Sequence, residues 1–245
     1  MKEKIRTDGL VIREHHTGES DRIITVLTRQ AGLVRAFATG SRKLIGKSAS
    51  STGLLCFSDF VFSSSKDTFR VSEAYPKDVF FGLRENLEKL SLAQYFCELC
   101  GVLCPFDEPA ERQLRLTLNC LKFLENGRLD PDQIKAIFEM QLLCQSGYRP
   151  DLSGCGICRS GDRLYFDIFE GRTLCREHRG AKSVPLGGDM LAALRAVSGE
   201  DMKKAFLFTM PKQGLKRLSQ ITGEYTKVRL ERSFKTLDFY EALRN

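Results

Sequence analysis

Four metal-ligand residues in two closely spaced pairs constrain the fold of this chain more than any other feature of its sequence. Cys155 and Cys158 are followed, after sixteen residues, by Cys175 and His178, a C-x2-C-x16-C-x2-H pattern. Two residues between donors let a tight turn aim both at one ion, and two such turns on a hairpin complete a tetrahedron of three thiolates and one imidazole. We therefore predict a structural zinc ion, one per chain, in a ribbon-like hairpin of residues 151–180.

The same four donors argue against chemistry at the metal. A catalytic zinc usually keeps three protein ligands and an open position for water, whereas Cys155, Cys158, Cys175 and His178 close the coordination shell. The H-x-E and P-C-x-x-C elements of zinc deaminases are absent, although Glu177 adjoins His178. We expect a protein that is not an enzyme, and a zinc-dependent enzyme stays the less favoured alternative.

The first eighty residues have the composition of strands. Five runs are rich in β-branched and aromatic residues, and turn-like or Ser/Gly-rich segments separate them. Five short strands in about 75 residues are typical of a small Greek-key barrel such as the OB-fold, although strand count alone does not distinguish it from an SH3-like barrel. We predict an OB-fold over residues 1–80. The predicted strands are Gly9–Thr17, Asp21–Thr28, Leu33–Thr39, Phe57–Ser63 and Thr68–Ala74.

From residue 81 onward the apolar residues recur three and four apart, which predicts helices. The pattern indicates one long helix from Leu83 to Leu103, and further helices over Glu111–Leu124 and Asp132–Gln145. Helical spacing returns over Gly187–Val197 and Pro211–Leu243, as one helix or a helix pair in the second case. The fold class is therefore α+β, with a helical domain of residues 81–150 and 181–245 that the zinc hairpin interrupts.

Charge and cysteine content indicate the compartment and the kind of partner. The chain has 38 basic and 31 acidic side chains, and the surplus lies in residues 1–80 and 181–245. Such a distribution suits a polyanion such as nucleic acid. No run approaches the roughly 20 apolar residues of a membrane span, and no apolar signal core follows the amino terminus. Nine cysteines without a secretion signal predict reduced thiols or metal ligands in a cytosolic protein.

A basic loop follows the third predicted strand. The segment from Gly40 to Ser48 resembles a phosphate-binding P-loop, but five residues separate its glycines where that motif requires four, so we do not expect nucleotide hydrolysis. A flexible loop with exposed cations suits sequence-independent contact with phosphates, and an ordinary solvated loop fits these residues equally well. The predicted DNA contacts of the barrel are Arg22, Arg35, Arg42, Lys43 and Lys47.

Two further patterns favour structural interpretations. Cys97, Cys100 and Cys104 fall on one apolar stripe of the predicted first helix, which favours core packing over a second metal. Basic residues three apart near the carboxyl terminus favour the solvated face of an amphipathic helix over a phosphate-contact stripe. These residues are Arg229, Arg232 and Lys235.

Several motifs together resemble one family. Five of them occur in the order found in the bacterial RecO family. They are Gly9-Leu10-Val11-Ile12-Arg13, Gly18-Glu19-Ser20-Asp21-Arg22-Ile23, Thr28-Arg29-Gln30-Ala31-Gly32-Leu33, Gly40-Ser41-Arg42-Lys43 and Gly147-Tyr148-Arg149-Pro150-Asp151-Leu152-Ser153-Gly154-Cys155. The resemblance implies an OB-fold, a helical domain with an embedded zinc site, and a role in recombinational DNA repair. It departs at His178, where zinc-bearing members commonly have a fourth cysteine.

The resemblance also implies an activity and partners. Members bind single- and double-stranded DNA, anneal complementary strands, bind RecR, and help to load RecA onto DNA coated by single-stranded DNA-binding protein. We therefore expect a non-enzymatic recombination mediator in the cytoplasm, on the nucleoid. An RNA-binding OB-fold adaptor would share the barrel and the charge, and remains the main alternative.

Overall fold

The computed structural model describes residues 4–17, 21–39, 51–65 and 68–244. The described residues group into two compact units. The first contains the residues up to Asn126 together with those from Phe234 onward, and the second contains Gly127–Ser233. The boundaries predicted for a barrel, a helical domain and a zinc hairpin differ from those of these two units, and the predicted division stays a prediction.

A closed five-stranded barrel opens the first unit, and it confirms the predicted fold class. The strands neighbour one another in the order β1-β2-β3-β5-β4, with β4 returning to β1. β3 and β5 run parallel, and the other four pairs are antiparallel. A five-stranded Greek-key barrel of this kind is the OB-fold. The strands are β1 (Lys4–Thr17), β2 (Asp21–Thr28), β3 (Gly32–Ala38), β4 (Phe57–Ser65) and β5 (Thr68–Asp78).

Alternation along the strands fills the barrel with apolar side chains. On β2, Ile24 and Val26 are fully buried, whereas the residues between and before them point outward and are partly exposed. Phe60 and Phe62 of β4 stack with ring centroids 5.2 Å apart and close the interior from the opposite side. Each such buried side chain contributes about 1.5–3 kcal/mol relative to an exposed one. The interior therefore stabilises the barrel, and the outward residues that stay exposed are left for other roles.

The turn between β2 and β3 requires glycine. Gly32 has a φ of +60°, and a Cβ there would lie 2.2 Å from the carbonyl oxygen of Pro105. The hydroxyl of Thr28 donates to the Gly32 carbonyl at 2.8 Å, and the Leu33 N–H donates to Pro105 at 2.8 Å. The turn is thereby joined to the segment that follows the second helix of the same unit.

The helices of the first unit correct one prediction. The single helix expected from Leu83 to Leu103 is two helices, because Asn86 adopts an extended backbone and its side chain accepts from the Lys89 N–H at 3.0 Å. This is an N-cap, which begins a new helix after a short break. The helices of this unit are α1 (Phe81–Arg84), α2 (Leu87–Leu103), α3 (Glu111–Asn126) and, at the end of the chain, α8 (Lys235–Ala242).

The second unit is built around one almost completely buried helix, α4 (Pro131–Gln145). Asp130 caps it, and its side chain accepts from the Asp132 N–H at 2.9 Å with proline at the first helical position. Around it lie α5 (Gly188–Ser198), α6 (Met202–Ala205) and α7 (Lys212–Leu230). A small sheet of order β7-β6-β8 completes the unit, from β6 (Tyr165–Asp167), β7 (Arg172–Leu174) and β8 (Val184–Pro185). None of the helices in the described ranges has both the length and the apolar character needed to span a membrane.

A buried ion pair within α4 forms hydrogen bonds to α7. The Lys135 ammonium lies 2.9 Å from the Glu139 carboxylate, with side-chain exposures of 3% and 0%. Lys135 also donates to the Ser219 carbonyl at 3.0 Å, and Glu139 accepts from the Thr222 hydroxyl at 2.6 Å. Buried charges are tolerated when they are paired and hydrogen-bonded in this way. The network therefore fixes which faces of the two helices meet.

The last basic residues do not share one helix. α7 ends at Leu230, because Glu231 adopts the left-handed conformation with a φ of 49°. Arg229 lies in the last turn of α7, Arg232 lies in the break, and Lys235 begins α8. The expectation that these three residues lie on one face of a single helix is therefore wrong.

Candidate metal centre and nucleic-acid interface

Backbone hydrogen bonds set the two turns that carry the metal-ligand side chains. The Gly156 N–H donates to the Thr173 carbonyl at 2.8 Å, which places the first turn beside β7. The Cys155 N–H donates to the Ser160 carbonyl at 2.8 Å and closes that turn. A Cβ at Gly156 would approach the Arg172 side chain to 2.7 Å, so glycine permits this close contact. The second turn begins at Cys175, immediately after β7 ends.

The sheet brings the two turns together. β6 and β7 pair antiparallel with Tyr165 opposite Leu174, so the residues before β6 and those after β7 meet at one end of the hairpin. Buried Leu164 and Leu174 pack there with Cys155 and Cys175. The spacing of sixteen residues between the two ligand pairs is the length of this hairpin, as the sequence predicts.

The four donor atoms have the geometry of a tetrahedral metal site. They all lie within 4.8 Å of one another. The sulfurs of Cys158 and Cys175 are 3.8 Å apart, and His178 Nδ1 is 3.5 Å from the Cys155 sulfur and 3.2 Å from the Cys175 sulfur. A tetrahedral zinc with its usual bond lengths separates two sulfurs by about 3.8 Å and a sulfur from a nitrogen by about 3.6 Å. The cluster fits a zinc site and could hold a metal ion.

The surroundings of Cys155 favour its thiolate. Burial raises the pKa of Cys155, but the backbone N–H groups of Cys158, Cys175 and Ile157 donate to the sulfur, and the pKa falls to about 5. At Cys158 the Ser160 N–H lowers the pKa, but burial and the neighbouring thiols raise it above its ordinary value. The Cys155 thiol thus ionises readily, and its negative charge opposes ionisation of the Cys158 thiol. A cation among these sulfurs would relieve that repulsion.

Side chains of α7 hold the far end of the hairpin. The Tyr225 ring packs on Phe166 of β6 with centroids 5.5 Å apart, and its hydroxyl donates to the Tyr148 carbonyl at 2.9 Å. The Arg229 guanidinium donates to the Ile168 carbonyl at 3.0 Å and lies 4.9 Å from the Tyr225 ring centroid. Arg229 is therefore part of the frame that holds the hairpin, which is a more specific role than the solvated face that we expected.

The predicted phosphate contacts of the barrel fall into three groups. Arg42, Lys43 and Lys47 lie outside the described residues. The Arg22 side chain is only 13% exposed and forms an ion pair with Glu14 at 3.1 Å. Arg35, in contrast, is exposed in the middle of β3.

Strand pairing places Arg35 in a cross-strand row. Arg35 lies opposite Thr25 of β2, and Thr25 lies opposite Arg13 of β1. Directly opposite residues of an antiparallel pair share a face of the sheet. Because the adjacent positions Ile24 and Ala36 are buried in the barrel, this row points outward. Arg13 and Arg35 are both exposed.

A second row runs beside the first and contains an aromatic ring. His15 of β1 lies opposite Ile23, Ile23 lies opposite Phe37 of β3, and Phe37 is paired with Arg70 of the parallel strand β5. The Arg70 guanidinium lies 5.8 Å from the Phe37 ring centroid. We call the two rows together the outer face of the barrel. It comprises Arg13, His15, Ile23, Thr25, Arg35, Phe37 and Arg70.

The outer face has the chemistry of a phosphate-binding surface. It contains three arginines and no carboxylate, and none of the three arginines forms an ion pair with a described residue. Exposed arginines beside an aromatic ring can hold phosphates by charge and stack a base on the ring. Three other cations of the barrel, Arg22, Arg29 and Lys77, are already in ion pairs with carboxylates. Arg29 binds Asp8 through Nε at 2.8 Å and Glu111 through Nη1 at 2.6 Å.

Comparison with known proteins identifies the family. Residues 1–80 match the model of the recombination protein O N-terminal domain, and residues 84–238 match that of the C-terminal domain. The chain belongs to the RecO family. It is 33% identical to the DNA repair protein RecO of Acetivibrio thermocellus, over 98% of this chain and 97% of that protein. It is 28% identical to that of Symbiobacterium thermophilum, over 97% of both chains, and 27% identical to that of Caldicellulosiruptor bescii, over 96% of this chain and 97% of that protein.

Membership of the RecO family confirms the resemblance drawn from the motifs, and the barrel and the helical region match the family's two domain models in chain order. The sequence did not predict Arg13, Phe37 or Arg70 as parts of the outer face. Strand alternation alone would place Arg13 and His15 on one face of β1. Arg70 has no such signal, because only the parallel pairing of β3 with β5 brings it beside Phe37.

The second cysteine cluster belongs to the core of the first unit. Cys97, Cys100 and Cys104 are all buried, and Cys100 Sγ lies 3.3 Å from the Thr117 hydroxyl. Burial raises the pKa of Cys97 well above its ordinary value, so its thiol stays protonated. Within the described ranges, the Cys155 cluster is the one group of side chains with metal-site geometry.

Proposed function

We propose that this RecO-family chain is a non-enzymatic recombination mediator that binds single- and double-stranded DNA and promotes annealing of complementary strands. The outer face of the barrel is the observation that supports the proposal most directly. Its arginines at positions 13, 35 and 70 are exposed and form no ion pair with a described residue, and Arg70 lies beside the ring of Phe37. We include Arg42, Lys43 and Lys47, which lie outside the described residues, in the DNA-binding surface, and Arg22 as a secondary contact.

Charge neutralisation is the physical basis of the proposed annealing. Two complementary strands repel one another through their phosphates, and a cationic surface that binds both lowers that barrier without reading sequence. Arginines hold phosphate oxygens through a planar fork of N–H donors. If the backbone lies along the two rows, Phe37 can stack one base while the others stay free to pair. The barrel then selects for phosphate and not for a particular base.

We propose zinc as the metal and a structural role for it. Cys155, Cys158, Cys175 and His178 supply three sulfurs and one nitrogen, the donor set that tetrahedral zinc prefers. These four donors complete the coordination, so the residues hold a hairpin in shape and leave no position for a reacting water. In the same proposal the chain acts with RecR to load RecA onto DNA coated by single-stranded DNA-binding protein. It does so in the cytoplasm, on the nucleoid.

Binding of a labelled single strand as a function of salt tests the proposal. Arg35→Gln together with Arg70→Gln removes two charges from the outer face, and we expect about a tenfold loss of affinity at low salt. The slope of log K against log salt should become shallower by about 1.4, since each lost contact to a single strand contributes about 0.7.

The matched control removes two arginines from an exposed face of α3, Arg112→Gln with Arg115→Gln. The control should keep the affinity and the slope of the parent chain. Equal losses in both variants would show that only net charge matters, and would remove the outer face from the proposal. Binding of RNA and DNA strands of one sequence, measured in competition, separates the mediator from an RNA-binding adaptor.

A further inference from the structure

The metal end of the hairpin bears a second group of exposed cations. Arg159 directly follows the first ligand pair, Arg176 lies within the second pair, and Arg179 directly follows it. Arg163 precedes Tyr165 by two residues and Arg176 follows Leu174 by two, and Tyr165 pairs with Leu174. The arginines at 163 and 176 therefore meet at the same end of the hairpin as the metal ligands.

Most of these charges are available to a ligand. Arg159 lies 3.7 Å from the Asp151 carboxylate, but the side chains are 73% and 48% exposed, and such an exposed pair is weak. The other three arginines are exposed and form no ion pair in the described part of the chain. Asp162 and Glu177 are the carboxylates nearest to them in the sequence. With Asp151 there are three carboxylates for four arginines, and Arg163, Arg176 and Arg179 form no ion pair with any of them.

Aromatic rings on the hairpin hold two of its cations in place. The Arg179 guanidinium lies 4.5 Å from the centroid of the Tyr165 ring, and the Lys182 ammonium lies 5.6 Å from that of Phe169. A guanidinium stacked on a ring keeps its N–H donors free at the edge and loses little further conformational entropy when it binds an anion. Phe169 is itself 60% exposed. Interleaved cations and exposed aromatic rings are typical of surfaces that bind single-stranded nucleic acid.

We propose that Arg163, Arg176 and Arg179, with Tyr165, form a hairpin face that binds the phosphate backbone of a second nucleic-acid strand. This inference rests on the proposed function, because it assigns a strand to the hairpin in addition to the one on the outer face. A second cationic face would let one molecule hold two strands during annealing, and the two faces belong to different compact units. Arginine forks match phosphate bidentately, and the hairpin face offers no apolar groove among its four residues for a protein segment.

A bridging assay on the full-length, metal-loaded chain tests this inference. One oligodeoxythymidine is immobilised, and a second, labelled oligodeoxythymidine is captured only when the protein holds both, since the two strands cannot pair with each other. The wild-type chain should capture the labelled strand. The hairpin variant Arg163→Gln, Arg176→Gln and Arg179→Gln should bind the immobilised strand with at least half of the wild-type occupancy and lose about 90% of the capture.

Three controls decide the result. The lysine control combines Lys203→Gln, Lys204→Gln and Lys212→Gln, which removes three exposed charges elsewhere in the second unit. This variant should still capture the labelled strand. The metal content of the hairpin variant should stay at the wild-type value, which shows that the hairpin is folded. Hydrogen exchange of the wild-type chain, which needs no variant, should show protection of residues 159–182 when the oligonucleotide is in excess.

The outcomes separate the inference from the proposed function. Capture that survives in the hairpin variant, or that falls equally in the lysine control, overturns the hairpin face but leaves the outer face as the DNA site. A wild-type chain that binds the immobilised strand and captures no second one overturns it as well. Failure of the wild-type chain to bind any single strand overturns both.

Discussion

In the barrel, five strands surround an apolar interior, whereas the hairpin belongs to a sheet of three very short strands beside four metal-ligand side chains. In the barrel, Val11, Ile24, Val34, Phe60 and Phe62 are among the residues that fill the interior, and each is at most 3% exposed. In the hairpin the buried cluster consists of two leucines and two of the ligand cysteines. Burial can therefore stabilise the barrel, and we expect the proposed metal to stabilise the hairpin.

This difference determines where function can lie in each region. In the proposed structural site the three cysteines and His178 of the hairpin hold the metal, and the arginines are the side chains left for binding. In the barrel the core cluster is apolar, so exposed polar residues at the outward positions are free to face a ligand. Both regions thus present arginines on a folded backbone, although apolar burial stabilises the barrel and the proposed metal stabilises the hairpin.

The largest expected effect is loss of one metal ligand. Cys158→Ser should release the metal, because a site with three donors binds it far more weakly, and the coupled binding energy of a structural zinc is about 10–16 kcal/mol. Amide hydrogen exchange in residues 151–183 should rise to the rates of an unfolded chain, while the barrel strands keep their protection. Exchange measured by mass spectrometry, alongside metal analysis, checks both expectations.

The matched control is Cys144→Ser. Cys144 is a half-buried cysteine outside the metal cluster, and burial raises the pKa of its thiol to about 11, so it stays neutral at physiological pH. This variant should keep its metal and the protection of the hairpin. Equal protection of the hairpin in Cys158→Ser and in the parent chain would show that the hairpin has enough apolar contacts to fold alone.

The same substitution in each region gives the second test. Phe62→Ala in the barrel leaves a cavity beside Phe60 and should lower the free energy of unfolding of the barrel by about 3–5 kcal/mol. Phe169→Ala in the hairpin removes a ring that is 60% exposed and should change stability by less than about 0.5 kcal/mol. Urea denaturation with hydrogen exchange of β2 and β4 measures both. A large loss at Phe169 would mean that the hairpin does depend on an apolar cluster.

The sequence predicted the hairpin better than it predicted the surface of the barrel, for a physical reason. Ligand spacing is a local property, and Cys155, Cys158, Cys175 and His178 come together through one antiparallel hairpin. The outer face depends on the register among four strands, and one of them, β5, is separated from β3 in the chain by β4. Arg70 joins Phe37 only through a parallel pair, and no local pattern of residues specifies that pairing.

The helices show the same division between local and distant causes. Asp130 and Pro131 marked the start of α4 correctly, because a cap acts on the adjacent turn. The apolar periodicity from Leu83 to Leu103 continued through Asn86 and hid the break there, since a cap inside a periodic run changes few apolar positions. Arg22 has a strand position that alternation assigns to the interior with Ile24, and its pairing with Glu14 follows from that position.

The smallest expected effect concerns an ion pair on the barrel. Arg29 donates to both carboxylate oxygens of Asp8 at 2.8 Å, and these hydrogen bonds hold the pKa of Asp8 below its ordinary value of 3.8. Because the pKa of Asp8 is lower in the folded state, the pair stabilises the barrel above pH 3.8, and this stability is lost as the pH falls through the folded-state pKa.

Asp8→Asn should therefore destabilise the barrel by about 1 kcal/mol or less at neutral pH, since Arg29 is partly exposed, and should match the parent chain in strong acid. The matched control is Asp162→Asn in the hairpin, where the carboxylate is exposed and forms no ion pair with a described residue. This variant should leave the free energy of unfolding unchanged at both neutral and acidic pH. Denaturation curves at neutral and acidic pH measure the effect, and a constant difference between Asp8→Asn and the parent chain at every pH would show that the Asp8 charge does not stabilise the barrel.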